Sequence, residues 1–224
     1  MQDVARLEPD AADPYYYIGE AYRFKGLPND AIAAYGLALE KDSEFGPAYV
    51  GLARARLQMD PGANVIPLLD EAIRFDPNFG EAYLERAKVK WRDNDIQGAI
   101  LDLGSADRLL PNSPLVFYNL ALARQKERNY DLALTAALRA NELDVTSLPV
   151  YLTLGQLYAE TDQPGQAVKA LDIFLKYNEG DADAFMLLGR TQFANGEYDK
   201  TIQSMSRVIS IDRNRREAYL YRFY

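Results

Sequence analysis

The side chains of this 224-residue chain that could do chemistry are carboxylates and cations, because histidine and cysteine are both absent. Without histidine, the Ser-His-Asp and Cys-His arrangements and the HExxH zinc motif are excluded. Without cysteine there is no disulfide framework, thiolate nucleophile or cysteine-based metal site. The acidic pairs Asp93/Asp95 and Asp181/Asp183 could in principle handle protons or a cation, but they fall at turns, where carboxylates commonly cap helices. The glycines follow neither GxGxxG nor GxxxxGK[ST] spacing, and the twelve-residue calcium loop is missing. No catalytic residue, metal or cofactor is therefore expected. One basic series stands out: Arg56, Lys90 and Arg124 recur every 34 residues, a ladder whose long stems can cover apolar surface while the heads reach water.

Charge narrows the choice of partner. Lys+Arg minus Asp+Glu is 25 − 33 = −8, a poor balance for neutralising phosphate backbones, so nucleic acid is not an expected partner. No apolar run reaches the roughly 18–20 residues of a membrane span. Met1 to Glu8 carries charges where a secretory signal would be apolar. A soluble chain is expected, with no membrane partner and the cytoplasm as the default compartment.

The elements that position these residues repeat. Aromatic residues stand at Tyr15, Tyr49, Tyr83, Phe117, Tyr151, Phe185 and Tyr219, each interval being 34. Four residues further on, the side chain is Gly19, Ala53, Ala87, Ala121, Gly155 or Gly189. Thirteen beyond that come Ile32, Ile66, Ile100, Leu134, Val168 and Ile202, preceded by Ala31, Val65, Ala99, Ala133, Ala167 and Thr201. The columns define six units, 12–45, 46–79, 80–113, 114–147, 148–181 and 182–215, without an insertion.

Each unit reads as two helices. In 80–113, Ala82, Tyr83, Ala87 and Val89 follow helical spacing, Arg92-Asp93-Asn94-Asp95 interrupts, and Ile96 to Leu110 resumes it. Pro111-Asn112-Ser113-Pro114 then ends the unit. The Gly/Ala column lets the first helix approach its partner closely, and the aromatic column fills space between pairs. Pro67 would fall inside a second helix, so that helix is expected to start late, with Asn64 as N-cap and the proline in the first turn. One such pair cannot bury its own apolar face, so pairs must stack.

These columns resemble the tetratricopeptide repeat (TPR), whose signature falls in the first unit on Tyr15, Ile18-Gly19, Tyr22, Ala31, Tyr35 and Ala38, with Ser43 in place of proline; Pro77 and Pro111 supply that proline later. The resemblance covers nearly the whole chain. RNA-reading helical repeats are the nearest confusable family, but their 35-residue period and the acidic balance disfavour them. The resemblance implies an all-α, right-handed superhelical solenoid of antiparallel helix pairs. Departures are Arg86 where leucine is usual, and Phe174 and Val208 where a small residue is usual, which would widen helix spacing locally. Residues 1–11 look like the end of a preceding repeat helix, and 216–224 like the start of a seventh unit or a truncated cap helix. The chain thus reads as part of a longer array, with self-association through 216–224 expected from its aromatic side chains.

In this family the first helices line a concave face. Carried over, the groove comprises Arg54, Leu84, Lys88, Trp91, Arg92, Tyr118 and Lys126, a basic bias on an acidic chain. The resemblance implies a protein or peptide ligand held by acidic and apolar groups. Two plainer readings compete: the apolar ladder through Leu84 and Tyr118 as core, and the basic residues as a solvated face with intrahelical pairs such as Glu85 with Lys88 or Arg92 with Asp95. The chaperone-tail mode of the family is not expected: Tyr16, Glu20, Gly51, Glu81 and Glu85 occupy its positions in the first three units, and units three to five match only at Asn119. The leading reading is a non-catalytic interaction scaffold. The alternatives are a recruiting arm of a larger enzyme, such as a glycosyltransferase or kinase, and a self-assembling array.

Overall fold

The structure is a computed structural model that describes residues 11–223. The described residues form thirteen α-helices: α1 (Asp13–Phe24), α2 (Pro28–Lys41), α3 (Gly46–Met59), α4 (Ile66–Phe75), α5 (Gly80–Arg92), α6 (Ile96–Leu109), α7 (Pro114–Lys126), α8 (Tyr130–Leu143), α9 (Leu148–Glu160), α10 (Pro164–Leu175), α11 (Ala182–Ala194), α12 (Tyr198–Ile211) and α13 (Arg216–Phe223). No strand occurs among them. The expectation for residues 1–11 falls almost wholly outside the described residues. The chain divides into two compact units, Met1–Pro111 and Asn112–Tyr224. In the first, α1/α2, α3/α4 and α5/α6 pair; in the second, α7/α8, α9/α10 and α11/α12 pair and α13 follows on α12.

Local chemistry sets the helix limits. Proline stands in the first two positions of seven helices, where its missing N–H costs no helical bond. Asp95, Asn129 and Asp181 cap α6, α8 and α11 by accepting from Gly98 N, Leu132 N and Ala184 N. In most pairs a residue of positive φ stands two positions after the end of the first helix: Gly26, Asn94, Arg128, Asp162 and Gly196. The following N–H closes the turn on a carbonyl five residues back, as in Asp95 N to Lys90 O at 2.8 Å and Gln163 N to Tyr158 O at 2.8 Å. The α3–α4 turn differs because Pro67 delays the second helix to Ile66. The late start is as expected, but Val65 is the N-cap, not Asn64, and it makes no side-chain cap bond.

The core is made of small residues under large ones. Ala31, Ala38, Ala72, Ala99, Ala106, Ala133, Ala140 and Ala167 are fully buried, which lets paired helices lie close. Tyr35 is also fully buried; a Cβ on Gly19 or on Gly51 would come within 2.5 Å of its Cε1. The ring lies between two helices that must both be bare at those points. Phe174 and Val208, the large residues at usually small positions, are buried within the apolar clusters of the second unit.

Candidate functional site

In the first unit, α1, α3 and α5 frame a hollow of about 400 Å³ lined by Arg23, Arg54, Leu57, Gln58, Glu85 and Lys88. Arg54 is the pivot. Its Nε donates to Glu85 Oε1 at 3.0 Å and its Nη2 to Glu81 Oε2 at 3.0 Å. Lys88 Nζ donates to Glu85 Oε2 at 2.7 Å. Glu85 is thus a buried carboxylate held from both sides, its side chain only 8% exposed, whereas the Glu81 side chain is 47% exposed. Burial works against the Glu85 charge, but Lys88 and Arg54 outweigh it and hold the carboxyl below its ordinary value. Next to this pair, Arg23 makes a bidentate bond to Glu20 at 3.1 and 2.7 Å, and the Tyr35 hydroxyl donates to the same carboxylate. Burial again opposes the Glu20 charge, and the Arg23 and Tyr35 bonds again prevail.

The expected groove residues do not all meet here. Arg54 and Lys88 do, joined by Glu85. Leu84 is buried at 5% exposure and belongs to the core, as the plainer reading of the apolar ladder had it. Trp91 is half-buried at the end of α5. Arg92 does not pair with Asp95: its Nε and Nη2 donate to Asp93 at 2.7 and 3.0 Å and its Nη1 to the carbonyl of Pro61 at 2.6 Å, which clamps the α3–α4 turn. In the second unit, Tyr118 packs half-buried on the cluster of Ala121, Ala133 and Leu154, and Lys126 is exposed at the end of α7. There the inner faces of α7 and α9 are joined by Gln125 Nε2 donating to Gln156 Oε1 at 3.2 Å.

The sequence reading missed the role of Glu81 and Glu85 toward Arg54, though it anticipated Glu85 with Lys88. A signal existed. Arg54 and Glu85 are 31 residues apart, as are Gln125 and Gln156, and that separation sets residues of neighbouring first helices side by side. A second missed cluster explains Arg86. Its Nε and Nη2 grip the buried carboxylate of Asp102 at 2.8 and 2.7 Å, its Nη1 donates to Asp70 at 2.7 Å, and Lys90 pairs with Asp102 at 2.8 Å. Lys90, a rung of the basic ladder, is therefore anchored to a buried carboxylate. Among the described residues, no group of three or more acidic side chains is placed to hold a metal ion. No described helix is long and apolar enough to cross a membrane.

Comparison with known proteins gives the class. Residues 152–215 match the tetratricopeptide repeat family model, and no curated protein matches the chain by sequence. A chain of the APC/C hetero-tetramer Cut9–Hcn1 is similar at a TM-score of 0.78 and 18% identity over 99% of this chain, which spans 44% of that one. PilF of Pseudomonas aeruginosa is similar at 0.83 and 19% identity, covering 96% of this chain and 98% of its own. YrrB, described as a TPR protein with an unusual peptide-binding site, is similar at 0.74 and 21% identity over 85% of this chain and 98% of its own. Residues 152–215 are thus similar to tetratricopeptide repeats, and the described residues have the all-α solenoid fold of those structures.

Proposed function

We propose that the chain is a non-catalytic scaffold that holds an extended or helical segment of a partner protein in the hollow framed by α1, α3 and α5. The observation that carries this reading is the set of cross-helix bonds around Arg54. They fix a row of charged side chains in advance, and such preorganisation favours binding over disorder. The solved relative YrrB, described by its peptide-binding site, supports the same mode. The lining charges Arg23, Arg54 and Lys88 face Glu20, Glu81 and Glu85, three against three. An acidic group of the partner must therefore displace a resident carboxylate, and the half-exposed Glu81 is the one that can leave. The segment that fits carries one such group beside an apolar side chain seated on Leu57.

The test is selection of displayed random peptides on the intact protein, followed by calorimetry of the enriched sequences. Peptides with an acidic and an apolar residue are expected, and Arg54→Glu with Lys88→Glu should weaken them at least about tenfold, roughly 1.4 kcal/mol. Enriched peptides that bind the double variant as well as the parent would place recognition outside this hollow.

A further inference from the structure

Six pairs of positions, each pair twelve residues apart, recur on the first and second helices of the six described pairs: 22/34, 56/68, 90/102, 124/136, 158/170 and 192/204. In α1/α2 and α9/α10 the pair is Tyr22 with Ala34 and Tyr158 with Ala170; both tyrosines pack on the buried clusters and both alanines are buried. In α5/α6 it is the Lys90–Asp102 ion pair. In α11/α12 it is Gln192 with Ser204, whose Oγ donates to Gln192 Oε1 at 2.8 Å. These two side chains are shorter than a tyrosine, and a hollow of about 570 Å³ opens beside them, walled by Phe185 and Leu188 and edged by Asp172, Lys200 and Arg207. Gln192 lines this hollow, and its Nε2 hydrogens meet no acceptor among the described residues.

We propose that this hollow receives a tyrosine side chain of a partner polypeptide, its ring against Phe185 and Leu188 and its hydroxyl accepting from the Gln192 amide, in the place that Tyr22 and Tyr158 hold in their own helix pairs. The site lies wholly within the second unit and does not depend on the Arg54 hollow. Two polar features favour a phenol over a plain aliphatic or aromatic group, and the hollow's wall receives its ring. The Gln192 amide lines the hollow with donors that no side chain takes, and a phenol oxygen can accept from it. Phe185 offers the edge and face contacts that aromatic rings prefer, and Leu188 adds apolar surface beside it. Asp172 offers an acceptor for the phenol hydrogen; burial pushes its carboxyl up although Lys200 opposes the shift. The volume is within the usual range of sites for small ligand groups, about 300–1,000 Å³.

The probe is N-acetyl-tyrosinamide, with N-acetyl-phenylalaninamide as control, titrated into the intact protein and followed at the Gln192 side-chain amide by NMR. The tyrosine probe should shift that resonance and bind about tenfold more tightly than the control, the equivalent of one good hydrogen bond. Gln192→Tyr with Ser204→Ala copies the α9/α10 arrangement and should abolish binding while keeping or raising the melting temperature. Gln192→Leu, which retains the fold if the double variant does not, should erase the preference for tyrosine over phenylalanine. Equal binding of the two probes, binding that survives in the plugged variant, or no movement of the Gln192 amide would each overturn the proposal.

Discussion

Arg128 holds φ +62° in the turn between α7 and α8, at the place where other turns carry Gly26, Asn94, Asp162 and Gly196. Glycine, asparagine and aspartate tolerate that region, and arginine pays about 1–2 kcal/mol for it. Arg128→Asn should therefore raise stability by about 1 kcal/mol, seen as a higher urea midpoint at unchanged m-value. This turn column was legible in the sequence at a spacing of 34, but Arg128 broke its residue type and hid it. Tyr35 makes the opposite case. Gly19 lies in the small-residue column and announced a close approach; Gly51 lies in no column, and only the buried ring between them explains it. Gly51→Ala should cost about 1–3 kcal/mol, because ring and backbone have nowhere to move. Gly189→Ala, whose Cβ would meet chiefly the flexible Cε of Met205 at 2.6 Å, should cost clearly less in the same denaturation assay.

At the scale of helix pairs, the 34-residue period and proline placement foretold the helices and their order, since hydrophobic spacing and backbone chemistry act locally. What joined one helix to the next was less legible, because the decisive contacts are between charges at separations the period does not mark. Arg86 registered only as a departure from leucine; the structure makes it one arm of a buried network with Asp102, Asp70 and Lys90. Asp102→Ala should destabilise the protein by about 3–5 kcal/mol, because two cations lose a desolvated partner. Arg86→Leu, Lys90→Tyr and Asp102→Ala together should recover most of that loss in thermal unfolding, since an apolar replacement of a buried ion cluster is often neutral or better. Glu85 links α3 to α5, and its lowered folded pKa fixes the sign of its pH effect. Its contribution is complete above the ordinary value of 4.5 and fades as pH falls through the lower folded value. Glu85→Gln should thus be less stable than the parent at neutral pH, with the gap closing as pH drops below 4.5.

Over the whole molecule, a stack of repeats derives stability from nearest neighbours, so damage should stay local. Hydrogen exchange of Asp102→Ala should show lost protection in α4, α5 and α6, while α9 to α12 keep theirs. A uniform loss across both units would show that the chain unfolds as one body. The composition left histidine- and cysteine-based constellations out at a glance; of the residues expected in a groove, Arg54 and Lys88 line the hollow, whereas Leu84 lies in the core and Arg92 holds the α3–α4 turn.

The twelve-residue dialogue between paired helices has an engineering consequence. Lys90 answers Asp102 and Gln192 answers Ser204 inside their own hairpins, so each hairpin travels with its own counterpart. Exchanging residues 80–109 with 182–211 would carry both of these pairings along intact, so Lys90 would keep its carboxylate, while Arg54 and Asp70 would be left without Glu85 and Arg86.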